Sequence, residues 1–109
     1  SNITNYSANE IRRVDMSVDV GYGSDLKKAR EVIMDILNQD ERILKDPAPI
    51  VAVDNLGDSG VNVLIRPWVK CEDYWAVKWS VLEAVHNRLN AEQIDIPFPQ
   101  MTVHLDQNS

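Results

Sequence analysis

Apolar and polar residues alternate strictly over residues 13–22. Val14, Met16, Val18, Val20 and Tyr22 fall on one side, and Arg13, Asp15, Ser17, Asp19 and Gly21 on the other. A period of two predicts a strand with one face buried and one face wet. Gly21-Tyr22-Gly23-Ser24-Asp25 then turns the chain, and the period changes. Leu26, Ala29, Ile33, Ile36 and Leu37 recur at helical spacing, with Lys27, Lys28, Glu31 and Asp35 outside them. The pattern predicts a first helix over residues 24–39, capped by Ser24, with Asp25 at the positive end of the dipole. Asp46-Pro47-Ala48-Pro49 stops any continuation, because proline has no N–H to donate.

Residues 50–56 and 61–69 are two β-rich runs joined by Gly57-Asp58-Ser59-Gly60, which reads as a hairpin. Pro67, late in the second run, predicts a bulge or the point where pairing ends. Asp73 caps a predicted second helix that runs to residue 91. Its main stripe is Tyr74, Val81, Leu82, Val85 and Leu89, with Trp75 and Trp79 one step round the cylinder. Beyond it, Ile94-Asp95-Ile96-Pro97-Phe98-Pro99-Gln100-Met101-Thr102-Val103 places two prolines at alternate positions. Neither can donate to a sheet ladder, so this predicts a stiff extended connector that leads into a short apolar strand. A connector of that kind reaches for another subunit.

The order strand, helix, strand, strand, helix buries every apolar stripe if both helices lie on one face of a small antiparallel sheet. The expected fold is therefore an α+β, ferredoxin-like sandwich with a C-terminal strand extending toward an oligomeric barrel. Residues 1–11 are expected to be an entry segment, 12–96 the sandwich, and 97–109 the connector and terminal strand.

With 109 residues, 44% of them apolar, the chain suits one ordinary globular domain. No apolar run approaches the roughly 20 residues that cross a bilayer. No signal peptide is read, and any membrane span of a parent protein is expected outside these residues. Acidic residues outnumber basic ones 17 to 11, for a net charge of −6. Nucleic-acid binding needs a basic stripe, and Arg12-Arg13 and Lys27-Lys28 are short and flanked by acids. Cys71 is the single cysteine, which excludes an internal disulfide and fits a reducing compartment.

Candidate chemistry is sparse. The turn from Val20 to Leu26 resembles a dinucleotide-binding loop, but Leu26 stands where the third glycine belongs. A tight turn with a capped helix accounts for it better. His86, His104 and Cys71 lack ligand spacing, so no metal or other cofactor is expected. Asp15 and Asp19 share the outer face of the first strand without a partner base, as solvated carboxylates do. No nucleophile motif appears, and an enzyme is not expected. Trp68, Trp75 and Trp79 are expected either to seal the helix–sheet junction or to cover a subunit contact.

Read in order, these motifs resemble the cytoplasmic C-terminal region of the small-conductance mechanosensitive channel (MscS) family over nearly the whole chain. Ile3-Thr4-Asn5-Tyr6-Ser7 resembles the end of that family's middle β-domain, and Arg12-Arg13 the basic pair opening the next strand. Val20-Gly21-Tyr22-Gly23-Ser24-Asp25 resembles the strand-turn-helix entry, and Ile43-Leu44-Lys45-Asp46-Pro47 the segment before the hairpin. Leu64-Ile65-Arg66-Pro67-Trp68 and Trp79-Ser80-Val81-Leu82 are similar to the strand and second-helix signatures. The stretch from Ile94 to Met101 is the most specific piece, and Pro67, where an apolar branched residue is commoner, is a departure.

The resemblance implies a homoheptamer whose cytoplasmic parts form a hollow cage below a pore in the cell inner membrane. Side openings would admit solutes, and tension would release ions and small solutes during hypo-osmotic shock. Carried over by residue, Met101, Thr102, Val103, His104 and Leu105 would form a barrel strand, with Pro97, Phe98, Pro99 and Gln100 as its lead. The membrane would be reached through segments outside this chain, and these residues alone would not conduct. The alternative is a soluble ferredoxin-like regulatory domain that binds a small ligand in its helix–sheet cleft.

Overall fold

The computed structural model describes residues 10–58 and 60–97. Five strands and two α-helices follow in order among the described residues, with a 3-10 turn over Cys71–Asp73 before the last: β1 (Ile11–Arg13), β2 (Met16–Val20), α1 (Leu26–Gln39), β3 (Ile50–Leu56), β4 (Val61–Arg66), β5 (Trp68–Lys70) and α2 (Tyr74–Ala91). β2, β4 and β3 form one antiparallel sheet in that order, and β1 pairs with β5 in a second, two-stranded one. This is the expected α+β sandwich, with a refinement in its first strand.

The predicted strand over 13–22 is two short strands, and Pro67 is the reason. It separates β4 from β5 on the paired strand and has no N–H to offer the ladder. Val14 still donates its backbone N–H to the Pro67 carbonyl at 2.8 Å, so the two segments stay side by side through the break. Pairing resumes at once, with Arg13 opposite Trp68 and Ile11 opposite Lys70. Pro67 therefore interrupts the ladder without ending it. The alternation survives too: Val14, Met16 and Val20 are buried, while Arg13, Asp15 and Ser17 are exposed. Tyr22 departs from the pattern. It lies beyond the strand at 56% exposure, and its hydroxyl donates to the Gly57 carbonyl of the hairpin.

α1 begins two residues later than predicted. Asp25 is the N-cap, its carboxylate accepting from the Lys28 backbone N–H at 3.1 Å. Ser24 instead belongs to the turn, donating its N–H to the Gly21 carbonyl. Ala29, Val32, Ile33, Ile36 and Leu37 form the buried stripe of α1. Val77, Val81, Val85 and Leu89, each four residues after the last, form that of α2. These two stripes meet Met16, Val20, Val63, Ile65 and Val69 from the sheet. Each buried valine, leucine, isoleucine or methionine among them contributes about 1.5–3 kcal/mol. No polar or charged side chain is buried among the described residues.

α2 ends without a glycine. Gln93 takes the left-handed conformation at φ 62, and Ile94 donates back to the Leu89 carbonyl at 2.9 Å. That pattern closes a helix by satisfying a terminal carbonyl. Ile94 then drops into the core at 5% exposure. Asp95 follows, and its carbonyl accepts the Gly21 N–H at 2.8 Å, which ties the exit of α2 to the end of β2.

Candidate assembly surfaces

Eight large apolar side chains are exposed among the described residues, and most collect on two flanks of the sandwich. One is the free edge of β3, where Ile50, Val53 and Leu56 are 50%, 41% and 68% exposed. β3 pairs only with β4, so among the described residues its other side is an open ladder. An edge with apolar side chains and unpaired backbone groups is a template for another chain.

The second flank is the side of α2 turned away from α1. Ser80, Ala84 and Arg88 look toward α1, and Arg88 pairs with Asp35 there at 3.3 Å. Trp75, Trp79 and Leu82 fall on the opposite side by helical periodicity, at 54%, 63% and 37% exposure. Their rings are ordered by one another. Tyr74 and Trp75 meet edge to face at 5.0 Å, and Trp75 and Trp79 are 5.7 Å apart. The Arg12 guanidinium sits 3.9 Å above Tyr74, and the Lys78 ammonium 5.4 Å from Trp75. Trp75 and Trp79 therefore do not seal the helix–sheet junction. Trp68 is half-buried on β5.

Beside this flank, Asp15 gathers cations. Arg13 Nε lies 2.7 Å from Asp15 Oδ1 and Arg66 Nε 3.7 Å from the same oxygen. The hydrogen bond from Arg13, helped by the charges of Arg13, Arg66 and Lys78, holds the Asp15 carboxyl below its ordinary range. Asp19 accepts a hydrogen bond from Asn62 Nδ2 at 2.9 Å. Both aspartates thus have structural partners among the described residues. His86 is exposed and Cys71 half-buried, and no group of three His, Cys, Asp or Glu could hold a metal among the described residues.

Of the residues expected to build the oligomeric strand, only Pro97 lies within the described part. It packs so closely on Gly60 that a Cβ there would come within 3.1 Å of its ring. The chain therefore leaves the domain at the hairpin end of the sheet. Phe98, Pro99, Gln100, Met101, Thr102, Val103, His104 and Leu105 lie outside the described residues, as does Ser59 in the hairpin turn. The exposed β3 row escaped the sequence reading. Its signal was an apolar run beside a turn, which looks the same in a central strand and an edge strand.

The described residues form a two-layer α+β sandwich with two apolar flanks. The comparisons with known proteins place it in a family. The family described as mechanosensitive ion channel MscS, C-terminal, matches residues 14–96, and the chain belongs to this family. An MscS family protein of Synechocystis is 42% identical over 98% of this chain and 36% of its own length. A small-conductance mechanosensitive channel of Edwardsiella ictaluri is 38% identical over 97% of this chain and 37% of its own. The crystal structure of Helicobacter pylori MscS in the closed state superposes with a TM-score of 0.76 at 35% identity. That match covers 81% of this chain and 35% of the channel chain. The chain thus spans little more than a third of the length of these relatives. No helix among the described residues is long and apolar enough to cross a membrane.

Proposed function

We propose that these residues form the cage-building cytoplasmic domain of a small-conductance mechanosensitive channel, seven copies of which surround a solute-filled vestibule beneath the pore. The observation that carries this reading is the pair of apolar flanks on a folded, family-matched sandwich. A ring needs two different faces on each copy, one giving and one receiving. The open edge of β3 and the tryptophan side of α2 are two such faces. Residues 97–105 would then leave the hairpin end of the domain and close the base as a barrel of like strands, a structure without free edges.

In this reading the pore and tension sensor belong to the remaining length seen in the relatives, and the parent protein sits in the inner membrane with this part in the cytoplasm. Its role is structural and filtering, during release of ions and small solutes on hypo-osmotic shock. The test uses the full-length protein in cells that lack their own mechanosensitive channels. Survival after dilution should be restored by the intact protein and lost when residues 10–109 are deleted. Survival unchanged by that deletion would overturn the proposal. A regulatory domain that acts alone is the second reading, and it rests on the cavities beside α1.

A further inference from the structure

We propose a second site on this domain: a groove along α1 that takes a single-chain amphiphile with an anionic head group. The groove consists of two neighbouring cavities that share Met34. One, of 330 Å³, lies between the second half of α1 and the connector to β3, with Leu37, Ile43, Leu44 and Pro49 among its walls. The other, of 310 Å³, lies between the first half of α1 and Val51 of β3. Each is at the small end of the range of ligand pockets, roughly 300–1,000 Å³. The shared wall is a methionine, the side chain best able to adapt to a flexible guest.

The charges select the guest. Lys27 and Arg30 line one cavity and Lys45 the other, against Glu31 as the one acid lining either. That is a cationic rim on a chain whose acids outnumber its bases 17 to 11. The cations elsewhere are mostly engaged: Arg13 and Arg66 with Asp15, Lys28 with Glu92, Arg42 with Asp40, Arg88 with Asp35, and Lys78 with the rings of Tyr74 and Trp75. Four basic side chains make no ion pair, hydrogen bond or ring contact among the described residues: Lys27, Arg30, Lys45 and Lys70. Three of these four border the groove. An acyl chain lying along Met34, Leu37 and Ile43 would place a carboxylate or phosphate among ammonium and guanidinium groups that have no other partner among the described residues. Lysine and arginine stems can cover such a chain while their charged ends stay wet. The site is independent of the channel reading, because a regulatory domain acting alone could use it equally.

Calorimetric titration of the 109-residue chain tests this with defined probes, each below its micelle concentration. Decanoate and decyl phosphate distinguish the two head groups, and saturable one-to-one binding of either supports the site. Octanoate should bind about fifteenfold more weakly than decanoate, at about fourfold per methylene. Decyltrimethylammonium and inorganic phosphate should not bind, since one carries charge of the wrong sign and the other lacks the chain. Lys27→Ala, Arg30→Ala and Lys45→Ala combined should weaken decanoate binding at least about tenfold, with circular dichroism unchanged. In an NMR titration the Met34 methyl signal should move and the Trp75 and Trp79 indole signals should not. No saturable binding, equal binding of the cationic probe, or shifts confined to the indoles would overturn the proposal.

Discussion

At the scale of single residues, three positions carry local costs or gains that the surrounding geometry explains. Gln93 occupies left-handed backbone with a Cβ attached, at φ 62, which costs a non-glycine residue roughly 1–2 kcal/mol. Gln93→Gly should therefore stabilise the fold by about 1 kcal/mol, read as a raised urea midpoint at constant m. Gly60 is the opposite case. A Cβ there would stand 2.5 Å from the backbone carbonyl oxygen of Val20, and backbone cannot swing aside. Gly60→Ala should destabilise by about 1–3 kcal/mol in the same assay.

Asp40 is the third position. Arg42 donates to it through its side chain, at 2.8 Å from Nη2 and 2.9 Å from Nε, and through its backbone N–H. The side-chain hydrogen bond is the main cause of the depressed Asp40 carboxyl pKa, and the backbone bond and Arg42 charge add to it against desolvation. A carboxylate with a lowered folded-state pKa stabilises fully above its unfolded value, about pH 3.9. That contribution is lost as pH falls through the lower folded value. Asp40→Asn should thus reduce stability at neutral pH and flatten the fall in stability below about pH 4. A variant that keeps the wild-type slope there would show that this pair does not act in acid unfolding.

At the scale of elements, periodicity made most of the fold legible. A period of two identified β2, a period near four identified the buried side of α1, and four turn-forming residues identified the β3–β4 hairpin. Where the reading departed, a local hydrogen bond decided. Asp25 rather than Ser24 caps α1 because its carboxylate reaches the Lys28 N–H. The cap prediction follows: Asp25→Ala should cost about 0.5–2 kcal/mol, and Ser24→Ala much less. Val32 and Val77 joined the core unannounced, since a stripe read from a few positions leaves its margins open. The aromatic side of α2 was legible as apolar but not as outward-facing. Only the placement of α1, beside Ser80, Ala84 and Arg88, reveals which side of α2 is left uncovered. The most specific motif in the sequence, residues 94–101, leads into the expected oligomeric strand, yet of residues 97–105 the described part includes only Pro97.

At the scale of the whole molecule, the sandwich is a closed core with open sides. Its interior is apolar, and Trp75, Trp79 and the β3 edge face outward, which is costly for a monomer and useful for a ring. Trp75→Ser with Trp79→Ser should leave the urea unfolding of the isolated domain within about 0.5 kcal/mol, because both indoles are exposed. The same pair should weaken assembly of the full-length protein, by about 2 kcal/mol or more per contact if they are central to it. A stable fold with impaired assembly would separate the two roles. Charge belongs to this scale as well. Seven copies at −6 each would surround the vestibule with negative charge, whose reach is about 8 Å at physiological salt. Neutralising exposed acids should lower cation preference of the full channel at low ionic strength.

The mass of the full-length parent protein, measured by light scattering after purification in mild detergent, asks most directly whether this domain is one segment of a ring. Seven protomers per particle is the predicted result, falling to smaller species when Trp75 and Trp79 are both replaced by serine. A particle holding a single protomer across the working concentration range would contradict the account.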